Sequence, residues 1–112
     1  MFIVQKTMEV SAAHSLELTY QSPCSSLHGH NWMVTVFCRC KDDRLDENGM
    51  VIDFTKIKKV VNRLDHCFLN TIIPQPTAEN IAKYLVEEIP LCFKVEIEET
   101  RGNKVTYEPD CD

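Results

Sequence analysis

The sequence predicts an α+β fold: a four-stranded antiparallel sheet with two helices on one face, in the order β-β-α-α-β-β. Three observations carry this. Apolar residues alternate over positions 2–10 and again from 32 to 40, switch to helical spacing after Asp53 and after Thr77, and return to alternation from Phe93. A period of two marks a strand with one buried face, and a period near 3.6 marks an amphipathic helix. Strands, then helices, then strands settle into two packed layers.

The first strand places Phe2, Val4, Met8 and Val10 on one face, with Lys6 an exception among them, against Gln5, Thr7 and Glu9. The second runs from His30 through Trp32, Val34, Val36, Cys38 and Cys40. Residues 41–50 form a polar turn in which Asn48-Gly49 is the strongest signal. Asp53 is an acceptable N-cap for a helix burying Phe54, Ile57, Val60, Val61 and Leu64. Pro74 and Pro76 close the connection that follows, and Thr77 caps a second helix burying Ala78, Ile81, Ala82, Leu85 and Ile89 before Pro90 stops it. Phe93, Val95 and Ile97 alternate as a third strand with Glu99 next in phase. Arg101-Gly102-Asn103 turns the chain into a fourth strand through Val105 and Tyr107. Such a sheet leaves two open edges, which points to pairing between copies in a ring-like oligomer.

A chain of 112 residues suits a single domain, here residues 1–108 with a short tail over 109–112. A net charge of -5 excludes a general basic footprint for nucleic acid. No apolar run approaches a membrane span. Six cysteines at irregular spacing, several inside apolar runs, with no secretory h-region before the first strand, predict a reduced, cytoplasmic protein.

The chemistry concentrates in Ser22–Trp32, SPCSSLHGHNW. His28 and His30, two apart on a strand, aim to one side, with Gly29 between them permitting close approach. His14 ends the first strand in SAAH, so antiparallel pairing brings it beside the other two. Three histidines without a fourth protein ligand are the pattern of a catalytic zinc with one open position. The alternative is a solvated turn and a strand-capping histidine. Cys24 lies in a polar loop four residues before His28. It is either a fourth ligand, which closes the site, or a base or nucleophile beside an open one. Cys38 and Cys40 are core residues by phase. Asp65-His66 ends the first helix, where a histidine is favoured by the helix dipole or, oriented by Asp65, carries protons. Glu99 sits on an apolar face where a carboxylate is costly unless paired; either the strand has ended there or Glu99 receives N–H groups of a ligand.

Taken in order, SAAH, CxxxHGH (Cys24 to His30), IDFTKIKKVVNRLDHCFLN, PTAENIA and EET resemble the 6-pyruvoyl/6-carboxytetrahydropterin synthase family over nearly the whole chain. The resemblance implies the tunnelling fold, with three subunits closing a barrel and two trimers stacking into a hexamer. It implies that His14, His28 and His30 bind zinc (Zn2+), that Cys24 is the proton-abstracting base, and that Asp65 and His66 form a second proton relay. It further implies that Glu99 anchors the pteridine ring and that Thr77 lies in the motif lining the pterin pocket. Lys56, Lys58 and Lys59 either serve the triphosphate or form a solvated helix face. Val10 replaces an aromatic residue often found before the SAAH-type motif, and Ser15 replaces a basic one after its histidine; both bear on local substrate contacts.

The spacing of Cys24 to the HGH resembles the bacterial 6-carboxytetrahydropterin synthases of queuosine biosynthesis. The implied reaction converts 7,8-dihydroneopterin triphosphate to 6-carboxy-5,6,7,8-tetrahydropterin, acetaldehyde and triphosphate. Shifting hydrogen from side chain to ring needs no nicotinamide, in keeping with the lack of a G-x-G-x-x-G motif. The alternatives are pyruvoyl formation with loss of triphosphate, and a non-catalytic zinc-stabilised assembly module with Cys24 as fourth ligand. A zinc hydrolase ranks last for want of an H-E-x-x-H motif.

Overall fold

The computed structural model describes residues 1–111. Strands β1 (Phe2–His14) and β2 (His28–Cys40) pair antiparallel along their full length, from Phe2 opposite Cys40 to His14 opposite His28. Helix α1 (Phe54–Val61) follows, then the short strand β3 (Cys67–Phe68), helix α2 (Ala78–Glu88), and strands β4 (Cys92–Thr100) and β5 (Asn103–Tyr107). The sheet is five-stranded and mixed, in the order β3-β1-β2-β4-β5. β3 runs parallel to β1, opposite Ala12 and Ala13. The expected sheet of four antiparallel strands is therefore corrected by one parallel edge strand, too short to show any alternation in sequence. Asp112, the last residue of the expected tail, lies outside the described residues; Glu108–Cys111 contain no helix or strand.

Both helices cover one face, α1 packing on β1 and α2 on β4 and β5. Beneath them the even positions of β2 (Trp32, Val34, Val36, Cys38 and Cys40) meet Val10, Ala12, Val95 and Ile97, all buried. The Asp53 carboxylate caps α1 by accepting the Thr55 N–H at 2.8 Å. Thr77 Oγ1 caps α2 by accepting the Asn80 N–H at 3.1 Å. Pro90 disfavours a helical Ile89, whose ψ of 121° ends α2.

Two expectations for α1 are corrected. The α-helix ends at Val61, and Asn62–Leu64 continue as a 3-10 turn that keeps Leu64 buried. Asp65 and His66 therefore lie beyond the helix, in a turn leading into β3. Phe54, the first helical residue, is exposed rather than core, because its side chain precedes the covered face. Val51 and Ile52, just past the polar turn, are buried instead. No helix among the described residues is long and apolar enough to cross a membrane.

Candidate metal centre

His14, His28 and His30 occupy the same face as the apolar core, at the end of the β1–β2 pair. Alternation along β2 sends His28, His30 and Trp32 to one side, and the register puts His14 opposite His28. One ring nitrogen from each histidine lies within 4.8 Å of the others. Neither Cys24 nor Glu99 belongs to this group among the described residues. Trp32 supports it from below, its ring edge-on to His14 at 4.9 Å and to His30 at 5.1 Å. The indole is held in turn by Nε1–H donating to the Ala12 carbonyl at 3.2 Å.

The outward nitrogens are fixed by backbone. His14 Nδ1 lies 2.7 Å from the Pro76 carbonyl oxygen and His28 Nδ1 lies 2.6 Å from that of Ser26. A carbonyl only accepts, so each Nδ1 carries the hydrogen and each Nε2 keeps a free lone pair in the neutral ring. Those two Nε2 atoms stand 2.9 Å apart. His30 Nε2 is buried without a hydrogen-bond partner among the described residues. Burial holds His30 below its usual pKa, with His28 and His14 adding to the effect and Glu99 opposing it. Converging lone pairs and an orphaned ring nitrogen could hold a metal ion.

Glu99, on β4, turns its Oε1 to within 3.4 Å of His14 Nε2 and 3.5 Å of His30 Nε2. The same carboxylate lines an open cavity of about 430 Å³ with Thr77, Leu16, Asn103 and Lys104. The strand thus continues through Glu99, whose carboxylate faces the histidines and the cavity rather than bulk water alone.

Asp65 and His66 do meet: His66 Nδ1 is 3.0 Å from Asp65 Oδ2. Their geometry comes from the rim of β1, where the Ser11 N–H donates to Asp65 Oδ1 at 2.9 Å and the His66 N–H donates to the Ser11 carbonyl at 2.6 Å. The Ser11 N–H, with His66 adding to it, holds the Asp65 carboxyl below its usual range. His66 has φ of 56° and an exposed ring. Cys24 is exposed on a 3-10 turn, Pro23–Ser25, capped by Ser22 Oγ. No hydrogen bond among the described residues joins its thiol to the histidines or to His66. A Cβ on Gly29 would sit 3.6 Å from the Ala12 carbonyl, an ordinary contact, so the sheet itself does not demand glycine there. The carbonyls of Pro76 and Ser26 and the Ser11 backbone were missed in sequence, because backbone groups leave no residue-type signature.

Comparison with known proteins identifies the family. Residues 3–110 match the family described as 6-pyruvoyl tetrahydropterin synthase. The 6-carboxy-5,6,7,8-tetrahydropterin synthase of Bacillus subtilis is 28% identical, over 96% of this chain and 86% of its own. The dihydroneopterin monophosphate aldolase of Pyrococcus furiosus is 38% identical, over 70% of this chain and 66% of its own. The structure of Caenorhabditis elegans 6-pyruvoyl tetrahydropterin synthase superposes with a TM-score of 0.75 at 29% identity, covering 97% of this chain and 96% of that one. By its sequence and by its fold, the chain belongs to the 6-pyruvoyl tetrahydropterin synthase family.

Proposed function

We propose that the protein is a zinc-dependent 6-carboxy-5,6,7,8-tetrahydropterin synthase, a lyase acting on 7,8-dihydroneopterin triphosphate in queuosine biosynthesis. The observation that carries this reading is the convergence of the ring nitrogens of His14, His28 and His30 beside the Glu99 carboxylate. Those three histidines would hold the zinc, which supplies Lewis-acid polarisation of the substrate's side-chain hydroxyls.

The chain's own residues supply the rest. Glu99 accepts ring N–H groups of the pterin, and Thr77 lines the same cavity. The Cys24 thiolate removes a proton from the side chain. Asp65, kept ionised, holds the Nδ1–H of His66 and leaves Nε2 to take or give a proton. Lys104, paired with Glu96 at 2.8 Å, lines the same cavity. The copies assemble through open sheet edges into a hexamer of two trimers, in the cytoplasm. The spacing of Cys24 to His28 and the Bacillus subtilis relative favour the carboxy-forming reaction over the pyruvoyl-forming one.

Acetaldehyde release from 7,8-dihydroneopterin triphosphate tests the reaction. Its appearance with 6-carboxytetrahydropterin supports the proposal; triphosphate loss without acetaldehyde assigns pyruvoyl formation instead. A Cys24→Ala protein keeps its metal and loses turnover. If that variant shed the metal, Cys24 would be a ligand and the protein a zinc-stabilised module.

A further inference from the structure

The segment leaving β1 is clamped by two side-chain amides. Asn70 accepts the Ser15 N–H at 3.0 Å and donates Nδ2–H to the Ser15 carbonyl at 2.8 Å. Gln75 repeats this two residues on, accepting the Glu17 N–H at 3.0 Å and donating Nε2–H to the Glu17 carbonyl at 2.8 Å. A primary amide carries one acceptor and paired donors in a plane, so it can serve both groups of one residue, as a neighbouring strand does. β3 pairs with β1 only at Ala12 and Ala13. The two amides extend that pairing after β3 has ended.

Alternate residues of an extended segment present their backbone groups to opposite edges. Leu16, between the two clamped residues, donates its N–H at 3.1 Å to the carbonyl of Cys24. The clamped segment therefore holds the Cys24 turn on its far side. The chain continues from Gln75 into Pro76, whose carbonyl fixes His14 Nδ1. The Gln75 carbonyl is itself secured by Asn80 Nδ2–H at 2.8 Å. One short stretch thus touches both the metal histidine and the segment carrying the thiol.

We propose that Asn70 and Gln75 are positioning residues that set the place of Cys24 relative to the three histidines. The inference rests on the reading of Cys24 as the base, but its structural half stands apart from it. The test attaches a nitroxide to Cys24 in a Cys67→Ser, Cys92→Ser, Cys111→Ser background, which leaves only the buried Cys38 and Cys40 beside it, and loads Cu2+ onto the histidines as the probe. Pulsed electron paramagnetic resonance then reads the nitroxide–copper distance. In Gln75→Met the copper content holds while the distance distribution shifts and broadens. Gln75→Glu, which keeps the acceptor for the Glu17 N–H but loses the donor, broadens it less. In the unlabelled, zinc-loaded Gln75→Met enzyme kcat falls about 10- to 100-fold, the scale of a misplaced reacting group, with KM nearly unchanged. A narrow, unshifted distribution in either folded variant overturns the proposal, as does an unchanged kcat; if Gln75→Met does not fold, Gln75→Glu decides. A fully active Cys24→Ala protein would instead remove the base assignment and leave the distance result standing.

Discussion

His14 Nε2 stands 2.9 Å from His28 Nε2, while the Nδ1 of each ring is turned to a backbone carbonyl. Two neutral rings in these tautomers face each other lone pair to lone pair, an arrangement that a bound cation relieves. Metal free at 100 times its Kd adds about 2.7 kcal/mol to stability. Chelation from that state should lower Tm by on the order of 10 °C, read by differential scanning calorimetry with and without added zinc. His28→Ala should purify without stoichiometric metal and show no such shift.

Asp65 gives a pH signature of known sign. Its carboxyl is held below the ordinary value by the Ser11 N–H and then by His66. A depressed folded-state pKa contributes stability above the unfolded pKa, about 3.9, and loses it as pH falls through the folded value. Asp65→Asn should therefore be less stable than the parent near pH 7, with the gap closing in strong acid. Urea unfolding at both pH values checks this; a gap that widens in acid contradicts it.

His66 holds φ of 56°, a left-handed conformation that costs a non-glycine residue about 1–2 kcal/mol. His66→Gly should be as stable as the parent or more stable, by up to about 1 kcal/mol, while turnover drops by about 10²-fold or more through loss of the proton carrier. Thermal melts and steady-state kinetics on one preparation separate the two effects.

Thr77 caps α2 and also lines the cavity beside Glu99. Thr77→Ala should cost about 1 kcal/mol of stability, and Thr77→Ser should restore most of it because the hydroxyl still accepts the Asn80 N–H. A KM that remains raised in Thr77→Ser would assign the lost methyl group to the pocket; an unaltered KM in both variants would confine Thr77 to capping.

The alternation of β2 was fully legible, since each of its even positions from Trp32 to Cys40 faces the core. The same parity exposed the histidines: His28 and His30 continue that face, and strand pairing adds His14. The sequence pattern runs past the end of α1 because the 3-10 turn over Asn62–Leu64 preserves a three-residue spacing and keeps Leu64 buried. β3 was invisible, as two residues carry no period. Phe54 is exposed against expectation because its hydrophobicity says nothing about which side of the first turn is covered. Asn70 and Gln75 gave no warning either. Their partners, Ser15 and Glu17, are engaged through backbone groups far away in sequence, and a polar side chain in a connection looks the same whether it clamps or floats.

The length of β1 separates the two ends of the molecule. Its 13 residues span about 40 Å at ~3.3 Å each. A purification handle or surface tether joined at Met1 would lie a full strand's reach from the histidine end of the same copy. Among the described residues, such a fusion gives up the ion pair of the Met1 ammonium with Asp42.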